Sequence, residues 1–204
     1  MGILEAHIAL WRNSPLASFT PQEAWGICSR SEEIVGRLMV DLDEGYDREG
    51  QVAVHRTATV EGGALLKGPL IVGPKCFVAS GSLLRGGCWI DQDCIIGPGV
   101  ELKSTIMFRD SKLAHFNFVG DSVLGQGVNL EAGSIIANCR NELDKPNIRF
   151  LYQGRLIETG TLKFGALIGD NTRIGANAVI APGAILAPST IVNRLALIDQ
   201  RPVS

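Results

Sequence analysis

A six-residue repeat of aliphatic residues constrains the fold of this 204-residue chain more than any other feature. In its first run every sixth position is aliphatic, and the residues between are mostly small, polar or glycine. The members of this run are Val60, Leu66, Val72, Val78, Leu84, Ile90, Ile96 and Leu102. The spacing returns in a shifted phase at Leu124, Leu130 and Ile136, and again at Ile168, Ile174, Ile180, Leu186 and Val192. Internal repetition at a fixed period outweighs local propensity as a guide to fold.

A period of six fits neither a helix, which needs spacings of three and four, nor a single amphipathic strand, which alternates every two residues. It fits a short strand followed by a turn. Three such units close a coil of about 18 residues, and successive coils stack as parallel strands about 4.8 Å apart. The repeat therefore predicts an all-β solenoid, that is, a parallel β-helix.

The rest of the chain divides around this solenoid. The predicted parts are an N-terminal helical extension (1–52), the β-helix (53–195) with an inserted loop or short hairpin (139–164), and a C-terminal tail (196–204). Thr20, Pro21 and Glu23 are typical of a helix start, and an apolar stripe continues from there to about Leu42. Trp25 falls off that stripe.

The residue just before each inward aliphatic is expected to point outward, yet it is apolar in six consecutive units. These outward residues are Leu65, Ile71, Phe77, Leu83, Trp89 and Ile95. A patch of that size is too large to leave exposed on a monomer. We therefore expect the N-terminal segment to cover one outer face, and sister subunits to cover another.

Composition limits the class of partner and the compartment. The net charge is −2 with no block of basic residues, which disfavours nucleic acid and anionic membranes as partners. No apolar run approaches the roughly 18 residues that cross a bilayer, and no signal peptide is evident. Cys76 and Cys94 are one coil apart and close enough to bridge, but small buried thiols in a reducing cytoplasm are the favoured interpretation.

Arg85 and Lys103 are separated by one full coil of the repeat and should lie side by side on neighbouring strands. Like charges in register are unfavourable unless an anion bridges them, and a phosphate would do so. Two solvated side chains would give the same spacing.

His115 lies where the six-residue register slips, between Leu102 and Leu124. Such a slip re-aims side chains and often marks a site, although a surface histidine in an irregular coil would look the same. The other histidines, His7 and His55, are far away in the sequence. A three-histidine metal centre is therefore not expected, and no metal-ligating residues are predicted.

The motifs around His115 resemble a known family. They are the run Ala114-His115-Phe116-Asn117-Phe118-Val119-Gly120-Asp121-Ser122, then Gly127-Val128-Asn129-Leu130-Glu131-Ala132-Gly133, Ile136-Ala137-Asn138 and Lys163-Phe164-Gly165-Ala166-Leu167-Ile168-Gly169-Asp170. Over roughly residues 55–195 the chain resembles the acetyltransferase half of bifunctional amino-sugar-1-phosphate acetyltransferase/uridylyltransferases, and it is similar to archaeal sugar-1-phosphate nucleotidyltransferases. The resemblance implies left-handed coils, a homotrimer, acetyl-CoA as co-substrate and a sugar phosphate or sugar nucleotide as the second partner.

The resemblance also implies a role for individual residues. His115 would be the general base; Arg85, Lys103, Phe118, Asn129 and Lys145 would contact the substrate; Ala132, Gly133, Asn138, Cys139, Ala176 and Arg194 would contact acetyl-CoA, with backbone N–H groups near Ala132 and Gly133 on the developing oxyanion. Two residues depart from the family pattern: Phe118 replaces a tyrosine, and Glu131 replaces a glycine beside the CoA contacts. Because the nucleotidyltransferase half has no counterpart here, uridylyl transfer is not expected.

Two functions remain open from the sequence. The first is acetyl transfer to an amino sugar, in which His115 removes a proton from the acceptor ammonium and the free amine attacks the thioester. The second is a non-catalytic hexapeptide module that trimerises or binds a regulatory sugar nucleotide, which Phe118 and Glu131 favour.

Overall fold

The computed structural model describes residues 2–19, 23–144 and 146–202, and within them three parallel sheets form the faces of a solenoid. Face A comprises β2 (Val52–His55), β5 (Leu70–Val72), β8 (Cys88–Ile90), β11 (Ile106–Met107), β14 (Val123–Leu124), β19 (Ala166–Ile168) and β22 (Ala184–Leu186). Face B comprises β3 (Thr59–Val60), β6 (Phe77–Val78), β9 (Ile95–Ile96), β12 (Lys112–Leu113), β15 (Asn129–Leu130), β20 (Arg173–Ile174) and β23 (Ile191–Val192). Face C comprises β4 (Leu65–Leu66), β7 (Leu83–Arg85), β10 (Glu101–Lys103), β13 (Phe118–Gly120), β16 (Ile135–Ile136), β21 (Val179–Ile180) and β24 (Leu197–Ile198).

These strands make seven stacked coils in the described part of the chain, and the predicted fold class is confirmed. Each coil runs from face A through face B to face C. We number the coils 1 to 7 from β2–β3–β4 to β22–β23–β24. The strands are only two to four residues long because the chain turns a corner after each one.

The shifted phase of the repeat comes from two short corners. Leu84 pairs with Leu102, a full coil of three hexapeptides further on. Ile90 instead pairs with Met107, and Met107 with Leu124, each one position short of a full coil. One residue is therefore missing at the corner from face C to face A after coil 3, and another after coil 4. A strict six-residue spacing from Leu102 would make Phe108 the next inward residue, but Met107 takes the inward place and Phe108 packs outside the coil.

The inward aliphatics fill the interior of the solenoid. Leu84, Ile96, Leu102 and Leu130 have no exposed surface, and Cys76, Cys88 and Cys94 occupy the tighter corners among them as free thiols. Burial raises the pKa of the Cys88 thiol to about 11, so it is protonated at neutral pH.

The N-terminal segment covers face A, as expected for one outer face. It contains α1 (Ile3–His7), α2 (Ala24–Ser29) and α3 (Ser31–Leu38), with 3₁₀ turns at Trp11–Asn13, Pro15–Ser18 and Met39–Asp41. Ile71, Trp89 and Ile106 point outward from face A into a second apolar core with helix residues such as Ile27 and Ile34. The other outward residues, Leu65, Leu83, Phe77 and Ile95, lie on faces B and C.

The prediction of one helix running to Leu42 is wrong, because the helix breaks at Arg30 into α2 and α3. The break turns the apolar side chains of both short helices toward face A. Of the predicted start signals, Thr20 and Pro21 lie outside the described residues. Trp25 lies off the stripe because it packs edge-on against Phe150 and Phe164 instead.

The insertion after coil 5 is a hairpin, β17 (Arg149–Tyr152) paired antiparallel with β18 (Arg155–Glu158). Phe150 belongs to the second core, so the hairpin extends the cover over the later coils. At the other end, β1 (Tyr46–Glu49) pairs antiparallel with β2 and closes coil 1.

The stacked strands begin at Val52 and end at Ile198, slightly beyond the predicted bounds. Leu197 and Ile198, expected in the tail, pair with β21 and complete coil 7. The buried guanidinium of Arg140 then fixes the tail, because it donates to Asp199 at 2.6 Å and to the Pro182 carbonyl at 2.8 Å. None of the described helices is long and apolar enough to cross a membrane.

Candidate functional site

Two corners of the solenoid hold most of the predicted site residues. We call them the C/A edge, where face C passes into face A, and the B/C edge, where face B passes into face C. The family resemblance assigns their residues to one site that binds a substrate and acetyl-CoA. The structure separates them by the width of face C.

Arg85 and Lys103 are neighbours on the C/A edge, as their spacing predicts. They are paired residues of the parallel strands β7 and β10. Strand pairing places such residues about 4.8 Å apart, so the register of the two cations is confirmed.

Each of these cations already has a carboxylate partner from the chain itself. A guanidinium nitrogen of Arg85 lies 2.6 Å from Glu101, and the Lys103 ammonium lies 3.0 Å from Asp121. Glu101 and Asp121 thus balance the two cations, so no bound anion is needed to hold them in register. A phosphate at this edge has to share or replace these carboxylates.

Asp121 is the centre of a buried network on the C/A edge. Its side chain is 7% exposed and receives hydrogen bonds from Lys103 and from the Asn138 amide. Asn138 lies against Gly120 one coil away, where a Cβ would meet its amide. Asn138, predicted to contact acetyl-CoA, therefore orients Asp121 in this structure, while the neighbouring Cys139 is exposed.

His115 lies on the B/C edge, in the turn that leads into β13. Its side chain is exposed, and its imidazole has no hydrogen-bond partner among the residues that the structure describes. The next residue, Phe116, is 73% exposed and has a left-handed backbone with φ of +52°. Asn117 is buried and ties the turn down by donating to the Glu131 carbonyl at 2.8 Å and to the Ser134 hydroxyl at 2.9 Å. The result is a fixed turn that presents a free imidazole to solvent.

Face C separates His115 from the two cations. Phe116, the neighbour of His115, covers Gly99 of the adjacent coil. Lys103 lies four residues after Gly99 in that coil, at most about 13 Å away at 3.3 Å per residue. Phe118 lies between the edges, half-buried at the start of β13 and paired with Glu101. Within one chain, His115 and the two cations therefore lie on different edges of face C.

The remaining predicted acetyl-CoA contacts line the B/C edge in the later coils. Ala132, Ala176 and Arg194 take equivalent corner positions in coils 5, 6 and 7, since Asn177 donates to Ala132 and Leu195 to Ala176 through their backbones. The Gly133 N–H donates to the His115 carbonyl at 2.8 Å. It is therefore not free to hold an oxyanion, contrary to expectation.

Glu131 binds two of the residues that were predicted to contact acetyl-CoA, Ala176 and Arg194. Its carboxylate accepts from Arg194 at 2.8 and 2.9 Å and from the Ala176 N–H at 2.9 Å. The Arg194 hydrogen bonds, with that backbone N–H, lower the pKa of Glu131, so the carboxylate is ionised at neutral pH. The sequence singled out Glu131 because it replaces a glycine of the resembling family, but it did not indicate Arg194 as the ion-pair partner.

Beside this ion pair, face B carries an open cavity of about 570 Å³. Asn129, Glu131, Arg173, Ile191 and Arg194 are among its lining residues. Asn129 is exposed and pairs with Arg173 on the next coil. Arg173 was not predicted as a site residue; a clue was available, since it precedes the inward Ile174 and so must point outward.

Lys145 lies outside the described residues. Within residues 2–19, 23–144 and 146–202, no group of three or more histidine, cysteine, aspartate or glutamate side chains is placed to hold a metal ion.

Sequence comparison finds relatives among bifunctional proteins. A bifunctional sugar-1-phosphate nucleotidylyltransferase/acetyltransferase from Sulfurisphaera tokodaii is 32% identical over 133 residues, which cover 65% of this chain and 33% of that protein. The bifunctional protein GlmU of Methanococcus vannielii is 35% identical over 77 residues, which cover 38% of this chain and 18% of that protein. The chain thus spans a third or less of the length of these relatives. No protein-family profile matches it.

Among solved structures, a perosamine N-acetyltransferase from Caulobacter crescentus, in complex with CoA and GDP-perosamine, aligns with a TM-score of 0.42 and 16% identity. The alignment covers 71% of this chain and 53% of that one. The curated relatives confirm the resemblance drawn from the His115 motifs.

Proposed function

We propose that this chain is an acetyl-CoA-dependent N-acetyltransferase whose acceptor is an amino sugar phosphate or a nucleotide-linked amino sugar. The observation that carries the proposal is the His115 imidazole, which is exposed and free of internal partners on the edge that also carries Ala132, Ala176 and Arg194. The names of the curated relatives support the same reaction class. The reduced, mostly buried cysteines agree with work in the cytoplasm.

In this function His115 acts as the general base. An amino sugar binds as its ammonium form, whose nitrogen has no lone pair with which to attack. The imidazole takes one proton, and the amine nitrogen bonds to the thioester carbonyl carbon. The C–S bond then breaks as the nitrogen gives up a second proton to the sulfur, so that CoA leaves as a thiol. Because the imidazole forms no hydrogen bond within the described residues, none has to be broken when it turns to the acceptor.

Arg85 and Lys103 would hold the acceptor phosphate. Two cations in register on adjacent strands give a phosphate two donors at once. Glu101 and Asp121 keep them in place before the ligand arrives. The phosphate must then compete with these carboxylates, most easily with Glu101, which is the less buried of the two.

A second copy of the chain would complete the site. Within one chain the width of face C, up to about 13 Å, separates the cations from the edge that carries His115. A trimer that brings the C/A edge of one copy to the B/C edge of the next would close this gap. Face C offers the surface for it. Its outward ladder includes Leu65 (57% exposed), Ile135 (37%) and Leu197 (67%), and leaving such a ladder in water is unfavourable.

We expect light scattering at micromolar concentration to give three times the chain mass. Ile135→Glu places a charge in the middle of the ladder and should shift the protein toward monomer. Val40→Glu, at a residue 76% exposed outside the ladder, should leave the mass unchanged. A monomeric wild type would refute the trimer.

The reaction itself is tested by release of free thiol from acetyl-CoA in the presence of candidate acceptors. We expect turnover with glucosamine 1-phosphate or a UDP-linked amino sugar, and a rise in Tm with acetyl-CoA and with the active acceptor. Absence of both thiol release and a Tm shift with acetyl-CoA would overturn the proposed function.

A second candidate is a non-catalytic module that binds a sugar nucleotide. The ion pair between Glu131 and Arg194 favours it, because two groups that acetyl-CoA would contact are already occupied. This candidate is distinguished by a Tm shift with a sugar nucleotide but none with acetyl-CoA.

A further inference from the structure

The corner residue Glu131 differs from its equivalents in the neighbouring coils. It follows β15, and the same position is Gly175 in coil 6 and Asn193 in coil 7. Arg194 reaches back from coil 7 past Gly175, which has no side chain to separate it from Glu131. The two residues thus meet across three coils, a span of about 10 Å.

The contact between them has the two-pronged geometry of an arginine bound to an oxyanion. Nε and Nη2 of Arg194 face the two oxygens of Glu131 at 2.8 and 2.9 Å. A phosphate oxygen pair offers the same acceptors to a guanidinium. Glu131 therefore occupies the place on Arg194 that a phosphate would take.

The ion pair is exposed enough for a ligand to displace it. The side chains are 73% exposed for Arg194 and 41% exposed for Glu131. Exposed pairs contribute little to stability, so breaking this one costs the fold little. The side chain of Arg173 lines the cavity beside this ion pair and has no ion-pair partner within the described residues.

We propose that Glu131 is an internal counter-ion that a phosphate of the acyl donor must replace on Arg194, and that it thereby sets how tightly acyl-CoA binds. This inference rests on the proposed function. It explains the departure from glycine at this position: the carboxylate lowers donor affinity and makes it depend on displacement of a bond within the chain.

A matched control exists at the other end of the solenoid. Glu61 follows β3 just as Glu131 follows β15, and its carboxylate accepts from the Ser80 N–H at 2.8 Å, as Glu131 does from Ala176. Glu61 has no arginine partner in the described part of the chain. Glu61→Gln therefore measures the loss of a corner carboxylate alone.

The test is a double-mutant cycle on the dissociation constant of acetyl-CoA, measured by calorimetry at low salt. The proteins are wild type, Glu131→Gln, Arg194→Gln, the double variant and Glu61→Gln. Glutamine keeps an oxygen for the Ala176 N–H, so the corner stays closed. We expect Glu131→Gln to tighten acetyl-CoA binding about threefold to fivefold, the upper part of the range of an exposed ion pair. The gain should vanish in the Arg194→Gln background, and Glu61→Gln should not alter binding.

Two further readouts sharpen the result. Acetyl-pantetheine, which has no phosphate, should bind wild type and Glu131→Gln equally. Raising the salt to about 1 M, where the Debye length is about 3 Å, should shrink the gain with acetyl-CoA.

The outcomes separate this inference from the proposed function. An equal gain with and without Arg194 would show general charge repulsion and overturn the counter-ion role. Unchanged or weaker binding by Glu131→Gln, with acetyl-CoA still bound by wild type, would overturn it alone. Failure of all five proteins to bind acetyl-CoA would overturn the proposed function and this inference together.

Discussion

Replacing His115 with alanine is expected to lower the rate of acetyl transfer by about 100-fold or more, the usual contribution of a general base. The acceptor ammonium then has no group to take its proton. Because the imidazole forms no hydrogen bond within the described residues, its removal should leave the free energy of unfolding nearly unchanged. The measurement is thiol release under saturating acetyl-CoA, together with thermal unfolding of both proteins.

His55→Ala is the control for loss of an imidazole. His55 lies on β2 at the first coil, where it contacts Thr57 and the Tyr46 ring. It should keep full transfer activity. The rate of His115→Ala should partly recover at high pH, where more of the acceptor amine is already neutral. Near wild-type turnover by His115→Ala at neutral pH would remove this residue from the mechanism.

Replacing Asp121 with alanine is expected to destabilise the fold by about 2–3 kcal/mol. The Lys103 ammonium, 18% exposed, would lose its carboxylate, and the Asn138 amide would lose its acceptor. Removing one partner of a buried pair costs about 3–5 kcal/mol, and the partial exposure of Lys103 reduces that figure. The free energy of unfolding from urea titration measures the effect.

Asp47→Ala is the matched control, because Asp47 also pairs with a cation, Arg56, but both side chains are more than 60% exposed. It should cost less than about 1 kcal/mol. If the C/A edge binds the acceptor phosphate, the sugar phosphate should raise the Tm of Asp121→Ala more than that of wild type, since Lys103 is then free for it. Equal stability losses in the two variants would contradict the buried network around Asp121.

The solenoid was predictable because its period is a global property. Each coil repeats the demand for an aliphatic at the same place, so the prediction does not depend on any single residue. The phase shift was visible as an interruption, but not its cause. A corner with one residue fewer leaves an apolar residue at the expected inward place, Phe108, and the structure directs it outward against Trp11 and Trp89.

The site was predictable only where it follows the coil period. The spacing of Arg85 and Lys103 gave their register, but not the carboxylates that neutralise them. Asp121 lies 18 residues after Lys103, but the short corner makes Gly120 the strand partner of Lys103. Asp121 therefore reaches the Lys103 ammonium from the next position along the chain, at the corner. The break in the helix at Arg30 was missed because it depends on the shape of face A, which the local pattern of α2 and α3 does not contain.

The helical cover on face A has a practical consequence. The strands of face A are buried on both sides, so a neighbouring copy can pack only against face B or face C of the solenoid. Helix α3 then remains on the outside of any ring that forms. Fluorophores or linkers for immobilisation attached near the C-terminal end of that helix, for example at Arg37, then lie away from the C/A edge, which the first turn of α3 contacts through Ser31. Labelled protein of this kind would report ligand binding without obstructing it.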